Sequence, residues 1–144
     1  MTHSSPTPPP SADLTPEDLD EDDAGPACVL VFNASDPSGA GGLAADISAI
    51  ASVGGHALAI VTGAYARDTA RIFDHFPFDE DAVAEQARAV LEDVPVQVIK
   101  VGFVGSPENI STIAEITTDY DEVPVIAYMP NLSWWREELI DEYL

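Results

Sequence analysis

Basic residues are the scarcest group in this 144-residue chain, which has five lysines and arginines against 26 aspartates and glutamates. The formal net charge of −21 makes nucleic acid and anionic membrane surfaces poor partners, because both carry negative charge themselves. The acidity leaves two explanations open, which are adaptation to a high-salt cytoplasm and the coding bias of a G+C-rich genome. The first explanation predicts unfolding at low ionic strength.

Cysteine and long apolar runs are also nearly absent. The single cysteine, Cys28, excludes an internal disulfide, and its place at the start of an apolar run predicts a small core residue. No apolar stretch approaches the roughly 20 residues of a membrane span, and the N-terminus lacks the basic and apolar regions of a signal peptide. We therefore expect a cytoplasmic protein without membrane contacts.

Residues 1–26 differ in composition from the rest of the chain. They hold six of the twelve prolines and seven of the acids, with no lysine or arginine. Such a segment cannot bury enough apolar surface to offset the entropy lost on ordering. We predict a disordered, acidic, proline-rich tail, either a solvated linker or an interaction arm, followed by one domain over residues 27–144.

Apolar runs alternate with helical patterns from residue 27 onward. The patterns predict strands at 28–32, 57–62, 96–101 and 124–128 and helices at 43–53, 80–92 and 107–118, with Ser133 capping a last helix. Leu43, Ile47, Ile50 and Ala51 share one face of the first helix. The sequence predicts an α/β fold with an open, mostly parallel sheet and helices on both faces, and residues 64–78 suggest a flap.

A glycine-rich turn over residues 33–42 follows the first predicted strand and opens a helix. Glycines let the backbone approach a ligand, and a helix N-terminus presents unpaired N–H groups. Ligands in open α/β sheets bind at the carboxyl ends of the strands, so the turns after the strands predict one shared site. Gly39 and Gly41 in this turn, and Tyr65 after the second strand, are therefore candidate substrate-binding residues.

Three segments occur in the order and at the approximate spacing of a known family. They are Ser35 to Asp46, Val61 to Thr69 and Ile99 to Ser106. Over residues 27–127 the chain resembles the ribokinase-like hydroxymethylpyrimidine/phosphomethylpyrimidine kinases of thiamine biosynthesis. The resemblance implies phosphoryl transfer from ATP with Mg²⁺ to a pyrimidine hydroxymethyl group and then to its monophosphate. It also implies a homo-oligomer, or a partner that covers the open sheet edge.

The resemblance bears on the roles expected of four residues. Asp46 matches the aspartate that binds the pyrimidine, or it stabilises its own helix N-terminus. Arg67 replaces a glutamine, and it either pairs with Asp46, meets an acid or phosphate on a different substrate, or lies on the surface. Phe103, where methionine is usual, either stacks on a flat heterocycle or belongs to the core. Lys100 needs a carboxylate partner or an exit to solvent.

The chain also departs from the family pattern. Ala127-Tyr128-Met129-Pro130 stands where an aspartate-proline pair is usual, and Ala34 replaces a glycine. The family's glycine-rich anion hole and nucleotide half lie beyond its midpoint, so we expect an incomplete, substrate-side half-domain that is inactive alone. The histidines lack metal-ligand spacing, and Ser38 lacks triad partners.

The alternative is a non-catalytic heterocycle-binding or interaction module, for which the Trp134-Trp135 pair suggests an apolar surface.

Overall fold

The computed structural model describes residues 25–135, so most of the predicted tail and the predicted last helix lie outside the described residues. All seven predicted elements are confirmed, with one additional strand. The strands are β1 (Cys28–Ser35), β2 (His56–Arg67), β3 (Ile72–Pro77), β4 (Val98–Val101) and β5 (Val125–Ala127). The helices are α1 (Gly42–Ser52), α2 (Glu80–Leu91) and α3 (Pro107–Asp119). None of these described helices has the length and apolarity needed to cross a lipid bilayer.

The five strands form one sheet in the order β3-β2-β1-β4-β5. β1 pairs in parallel with β2 and β4, β4 pairs in parallel with β5, and only β3 is antiparallel. The expected open, mostly parallel sheet is therefore confirmed. The segment 64–78, for which the sequence suggests a flap, forms a hairpin of β2 and β3. Its turn is fixed by Asp68, whose carboxylate accepts the N–H groups of Ala70 and Arg71 at 2.8 and 2.7 Å.

Helices cover both faces of the sheet, as the sequence predicts. Leu30 and Phe32 of β1 join the main core cluster with Val83 of α2 and Ile113 of α3. Asn33, the next residue along β1, contacts α1 instead. Because successive side chains of a strand point to opposite faces, α1 lies on the face opposite α2 and α3.

The predicted apolar face of α1 is wrong at two positions. Ile47 is 44% exposed and Ala51 is exposed, whereas Leu43 and Asp46 are buried. The reason is electrostatic, because Asp46 turns toward the sheet to meet two polar partners there. Cys28 is half-buried rather than a full member of the core.

Candidate functional site

A cleft of about 170 Å³ lies where β1, β2 and β4 end. It has room for about five waters, at about 30 Å³ each, or for one six-membered ring. The position agrees with the expectation that the turns after the strands share a site. The cleft is lined by Asn33, Asp36, Gly41, Gly42, Tyr65, Arg67, Ile72, Phe103, Tyr128, Pro130, Asn131 and Trp134.

Asp36 organises the turn that forms the cleft floor. Its Oδ1 accepts the N–H and the hydroxyl of Ser38 at 2.8 and 2.6 Å, and its Oδ2 accepts the N–H of Gly41 at 2.8 Å. Burial alone raises the pKa of Asp36, but these hydrogen bonds and the charge of Arg67 outweigh it and lower the pKa below its ordinary value. Asp36 is therefore ionised at neutral pH and fixes the turn.

Gly42 is the position in this turn that requires glycine. Its φ is +61°, and a Cβ there would lie 2.5 Å from the carbonyl oxygen of Ala34. Of the two predicted glycines, Gly41 lines the cleft, whereas Gly39 does not. Gly39 has a φ of +74° and open space around its Cβ position, so it contributes to the path of the turn.

Arg67 lines the cleft and pairs with Asp36 rather than with Asp46. Its Nη1 lies 3.2 Å from Asp36 Oδ2, and its Nε donates to the carbonyl oxygen of Asp68 at 2.9 Å. The alternative that pairs Arg67 with Asp46 is wrong, because that carboxylate is already bound by Lys100 behind the cleft wall. The surface interpretation is wrong too, since the Arg67 side chain is only 15% exposed.

Asp46 is buried behind the cleft and is not part of its lining. Its Oδ2 accepts the Asn33 amide at 2.8 Å, and its Oδ1 accepts the Lys100 ammonium. Lys100 thus has the carboxylate partner that one alternative predicted, and the first turn of α1 contains no acid. Asn33 separates Asp46 from the cleft, so a ligand-binding role of Asp46 stays a prediction.

Gly102 makes room for Asn33. A Cβ at Gly102 would lie 2.6 Å from the Asn33 side chain. The Oδ1 of Asn33 accepts the N–H of Ala34 at 2.8 Å, while its amide nitrogen holds Asp46. Asn33 is therefore fixed between the cleft and the half-buried ion pair of Asp46 and Lys100.

Phe103 lies at the centre of an aromatic cluster beside the cleft. It is 1% exposed, which fits the core alternative, although it also contributes to the cleft lining. Its ring centroid lies 6.2 Å from Tyr65, 5.5 Å from Trp134 and 4.9 Å from Trp135. The tryptophan pair is half-buried and packs on Phe103, and its use as an apolar surface for a partner stays a prediction.

His75 of β3 completes the aromatic cluster away from the cleft. Its centroid lies 4.9 Å from those of Tyr65 and Phe103. Neither ring nitrogen has a hydrogen-bond partner within residues 25–135. Burial lowers the pKa of His75 to about 4, although the neighbouring Asp74 acts in the opposite direction. His75 is therefore neutral at physiological pH.

Several cleft residues were not singled out from the sequence. Asn33 and Asp36 lie inside the predicted floor over 33–42, and the Asp-Pro-Ser order of an Asx turn is a signal that points to Asp36. Asn131, after β5, was not named either, whereas Tyr128 and Trp134 were named for reasons other than ligand binding. Within residues 25–135, no group of three histidine, cysteine or acidic side chains is arranged to hold a metal ion.

Comparisons with known proteins agree with the site motifs. Residues 36–131 match the phosphomethylpyrimidine kinase family. The hydroxymethylpyrimidine/phosphomethylpyrimidine kinase of Streptomyces coelicolor is 30% identical over 101 residues, which are 70% of this chain and 38% of that protein. The crystal structure of phosphomethylpyrimidine kinase from Clostridium difficile 630 superposes with a TM-score of 0.65 and 29% identity, over 70% of this chain and 44% of that one.

Solved structures with lower sequence identity to this chain show only that it has the same fold. Pyridoxal kinase of Bacillus subtilis, solved as an ADP complex, has a TM-score of 0.65 at 22% identity, over 72% of this chain and 39% of that one. The chain thus spans less than half the length of each of these three relatives. With its ribokinase-like sheet and three matching motifs, this chain belongs to the phosphomethylpyrimidine kinase family.

Proposed function

We propose that residues 27–144 are the substrate-side half-domain of a kinase that phosphorylates hydroxymethylpyrimidine and its monophosphate in thiamine biosynthesis. This chain alone binds the pyrimidine ring without transferring phosphate. The observation that carries the proposal is the single-ring cleft at the ends of β1, β2 and β4, in a chain with the motifs of this family. The names of the curated relatives supply the substrate class.

The cleft offers both polar and stacking contacts to a flat ring. Asn33 keeps one amide hydrogen and one oxygen lone pair beyond its present hydrogen bonds, which suits a heterocycle with both donors and acceptors. Tyr65 and Trp134 supply aromatic faces and edges, and the buried ring of Phe103 packs against both. Gly41 and Arg67 complete the proposed direct contacts with the ring. Asp46 contributes indirectly, because it orients Asn33. Gly39 contributes indirectly too, because its positive φ shapes the turn that forms the cleft floor.

The proposed phosphoryl donor is ATP with Mg²⁺, and the described residues do not fit this group. Asp36 and Asp46, the carboxylates nearest the cleft, are already held by Arg67 and Lys100. The segment Ala127 to Pro130 carries no acid, and residues 25–135 hold no metal-binding set. No catalytic step is therefore assigned to this chain. A cytoplasmic location is part of the proposal, because the proposed reaction uses ATP.

Calorimetric titration of the full chain with hydroxymethylpyrimidine tests the ring site. We expect one ring per chain, and about tenfold weaker binding in Asp46→Asn, because the amide loses the negative charge that orients Asn33. Asp119→Asn removes the same charge from an exposed pair and should leave binding unchanged. Equal affinity in all three proteins would contradict the role of Asp46, and phosphorylation of the ring with ATP above background would contradict inactivity.

The alternative function is an interaction module, and the β5 edge favours it. Val125, Ile126, Tyr128 and Met129 are exposed apolar residues along this edge of the sheet. An unpaired apolar edge is a template for another strand. We propose that two copies associate here, or that a partner chain covers this edge.

Sedimentation equilibrium in about 0.5 M salt, where screening weakens the repulsion between two acidic chains, tests this association. Ile126→Lys should shift the chain toward monomer. Val53→Lys, at an even more exposed apolar position after the end of α1 (84% against 58% for Ile126), is the control and should not. A wild-type chain that stays monomeric at every concentration would contradict self-association.

A further inference from the structure

A second, larger groove lies beside the cleft, on the other side of Arg67. Its volume is about 530 Å³, and it is lined by Arg67, Ala70, Arg71, Ile72, Phe73, Asn131, Ser133 and Trp134. Four of these residues, Arg67, Ile72, Asn131 and Trp134, also line the cleft. The groove and the cleft are therefore adjacent, and one ligand can reach from one into the other.

The charge of this groove is opposite to that of the chain. Two of the five basic residues line it, and no acid between residues 25 and 135 does. Because the charge of Arg67 is balanced by Asp36, the unbalanced positive charge on this wall is that of Arg71. The groove is therefore suited to a negatively charged group.

Arg71 is available for such a group. It is exposed, and it forms no ion pair within the part of the chain that the structure describes. Its Cζ lies 5.0 Å from the Phe73 ring centroid, a cation–π contact that leaves the N–H donors unpaired. Asp68, the acid in the same turn, uses Oδ1 to accept backbone N–H groups of the turn rather than the guanidinium.

Two more residues of the groove have fixed positions and can donate hydrogen bonds. Arg67 is held in place by Asp36 and by the carbonyl oxygen of Asp68. Asn131 accepts the N–H of Ser133 through Oδ1 at 2.9 Å, which leaves its NH₂ group to donate. The donors on this wall are thus guanidinium and amide N–H groups, which match the oxygens of phosphate and carboxylate.

We propose that this groove binds an oxyanion, a phosphate or a carboxylate, carried by a molecule whose ring occupies the adjacent cleft. The part concerning the ring rests on the proposed function. Arg71 is the main contact, Arg67 and Asn131 are secondary contacts, and Trp134 forms the wall shared by ring and anion. This chain accordingly prefers an anionic ring ligand to a neutral one.

Calorimetry on the full chain with four probes tests the groove: hydroxymethylpyrimidine, phosphomethylpyrimidine, inorganic phosphate and acetate. We expect the phosphate ester to bind about tenfold more tightly than the neutral ring. Arg71→Ala should abolish this difference, and Arg71→Lys should retain part of it. Arg88→Ala removes the same charge from an exposed pair on α2 and should change nothing. Comparing inorganic phosphate with acetate distinguishes a phosphate source from a carboxylate source.

The outcomes separate this proposal from the function of the cleft. Equal affinity for the ester and the neutral ring, or an equal effect of Arg88→Ala and Arg71→Ala, would overturn the oxyanion groove and leave the ring site standing. If neither pyrimidine binds but inorganic phosphate or acetate still binds and is lost in Arg71→Ala, the groove stands and the pyrimidine function fails.

Discussion

The carboxylate of Asp36, in the turn after β1, lies 3.2 Å from the guanidinium of Arg67, at the end of β2. The same carboxylate accepts the N–H of Gly41, so one buried side chain holds both the cleft floor and the neighbouring hairpin. Where related kinases are expected to present a neutral glutamine, this chain presents a fixed charge pair. The ligand of this cleft therefore meets an ion pair that is already formed.

A double-mutant cycle measures the strength of this pair. Combining Arg67→Gln with Asp36→Asn should give a coupling of about 2 kcal/mol in the free energy of unfolding, because the pair is largely shielded from water. Urea denaturation of the four proteins provides the measurement. The matched control is the pair of Arg88 and Asp119, at 3.1 Å with side chains 44% and 56% exposed, whose coupling should stay below about 1 kcal/mol. Equal couplings would contradict the account.

The half-buried pair of Lys100 and Asp46 behind the cleft should be sensitive to removal of the lysine charge. Lys100→Met should lower the free energy of unfolding by about 3 kcal/mol, because Asp46 keeps a buried charge with only the Asn33 amide as partner. Adding Asp46→Asn to this variant should recover part of the lost free energy of unfolding, as urea denaturation can measure. Additive losses in the double variant would show that the two side chains do not depend on each other.

Two glycines of the turn should differ in their tolerance of alanine. Gly42→Ala should cost at least about 2 kcal/mol, because the positive φ is joined by a close contact with the Ala34 carbonyl oxygen. Gly39→Ala should cost about 1 kcal/mol, since only the positive φ disfavours it. Thermal unfolding of both variants gives the comparison, and a larger loss at Gly39 would contradict the described turn.

His75 should make stability depend on pH in mildly acidic solution. The pKa of His75 is about 4 in the fold, compared with an ordinary value of 6.5. Between these values the unfolded chain binds a proton that the native chain does not. The free energy of unfolding should thus fall as pH drops from 6.5 to 4, by up to about 3 kcal/mol, with no contribution from His75 above that range.

Variants separate this effect from other acid-sensitive groups. His75→Phe and His75→Leu should both flatten the slope between pH 6.5 and 4, whatever their absolute stabilities. His56→Gln, at an exposed position of β2, is the control and should keep the slope. Asp36, whose pKa is lowered in the fold, adds its own loss only below about pH 4. An unchanged slope without His75 would contradict its burial as a neutral ring.

The sequence predicted those strands and helices in which apolar residues recur at the regular spacing of a buried strand or of one helix face. β1, β2 and β4 are near-continuous apolar runs, and α2 shows the helical spacing of Val83, Ala87 and Leu91 that the structure buries. β3 escaped prediction because it is an edge strand whose phenylalanines and charged residues do not alternate by burial. The face of α1 was misassigned because the partners of Asp46, on β1 and β4, decide its rotation.

The sequence predicted where the site lies in the fold, but it did not predict most of the contacts between the side chains of the site. The rule on carboxyl strand ends, with the glycine turn, predicted the cleft and the positions of Gly41 and Tyr65 in its lining, and the family resemblance added Arg67 and Phe103. The pairing of Arg67 with Asp36 depends on the register of the β2 and β3 hairpin, which local patterns do not contain. The packing of Trp134 on Phe103 depends on where the chain returns after β5.

The most direct test of the ring-binding cleft is an NMR titration of the ¹⁵N-labelled full chain with hydroxymethylpyrimidine. The account predicts saturable shifts of the Asn33 side-chain amide, the Gly41 and Gly42 backbone amides and the Trp134 indole N–H. No saturable shift, or shifts confined to the exposed surface between α2 and α3 around Arg88, would contradict it.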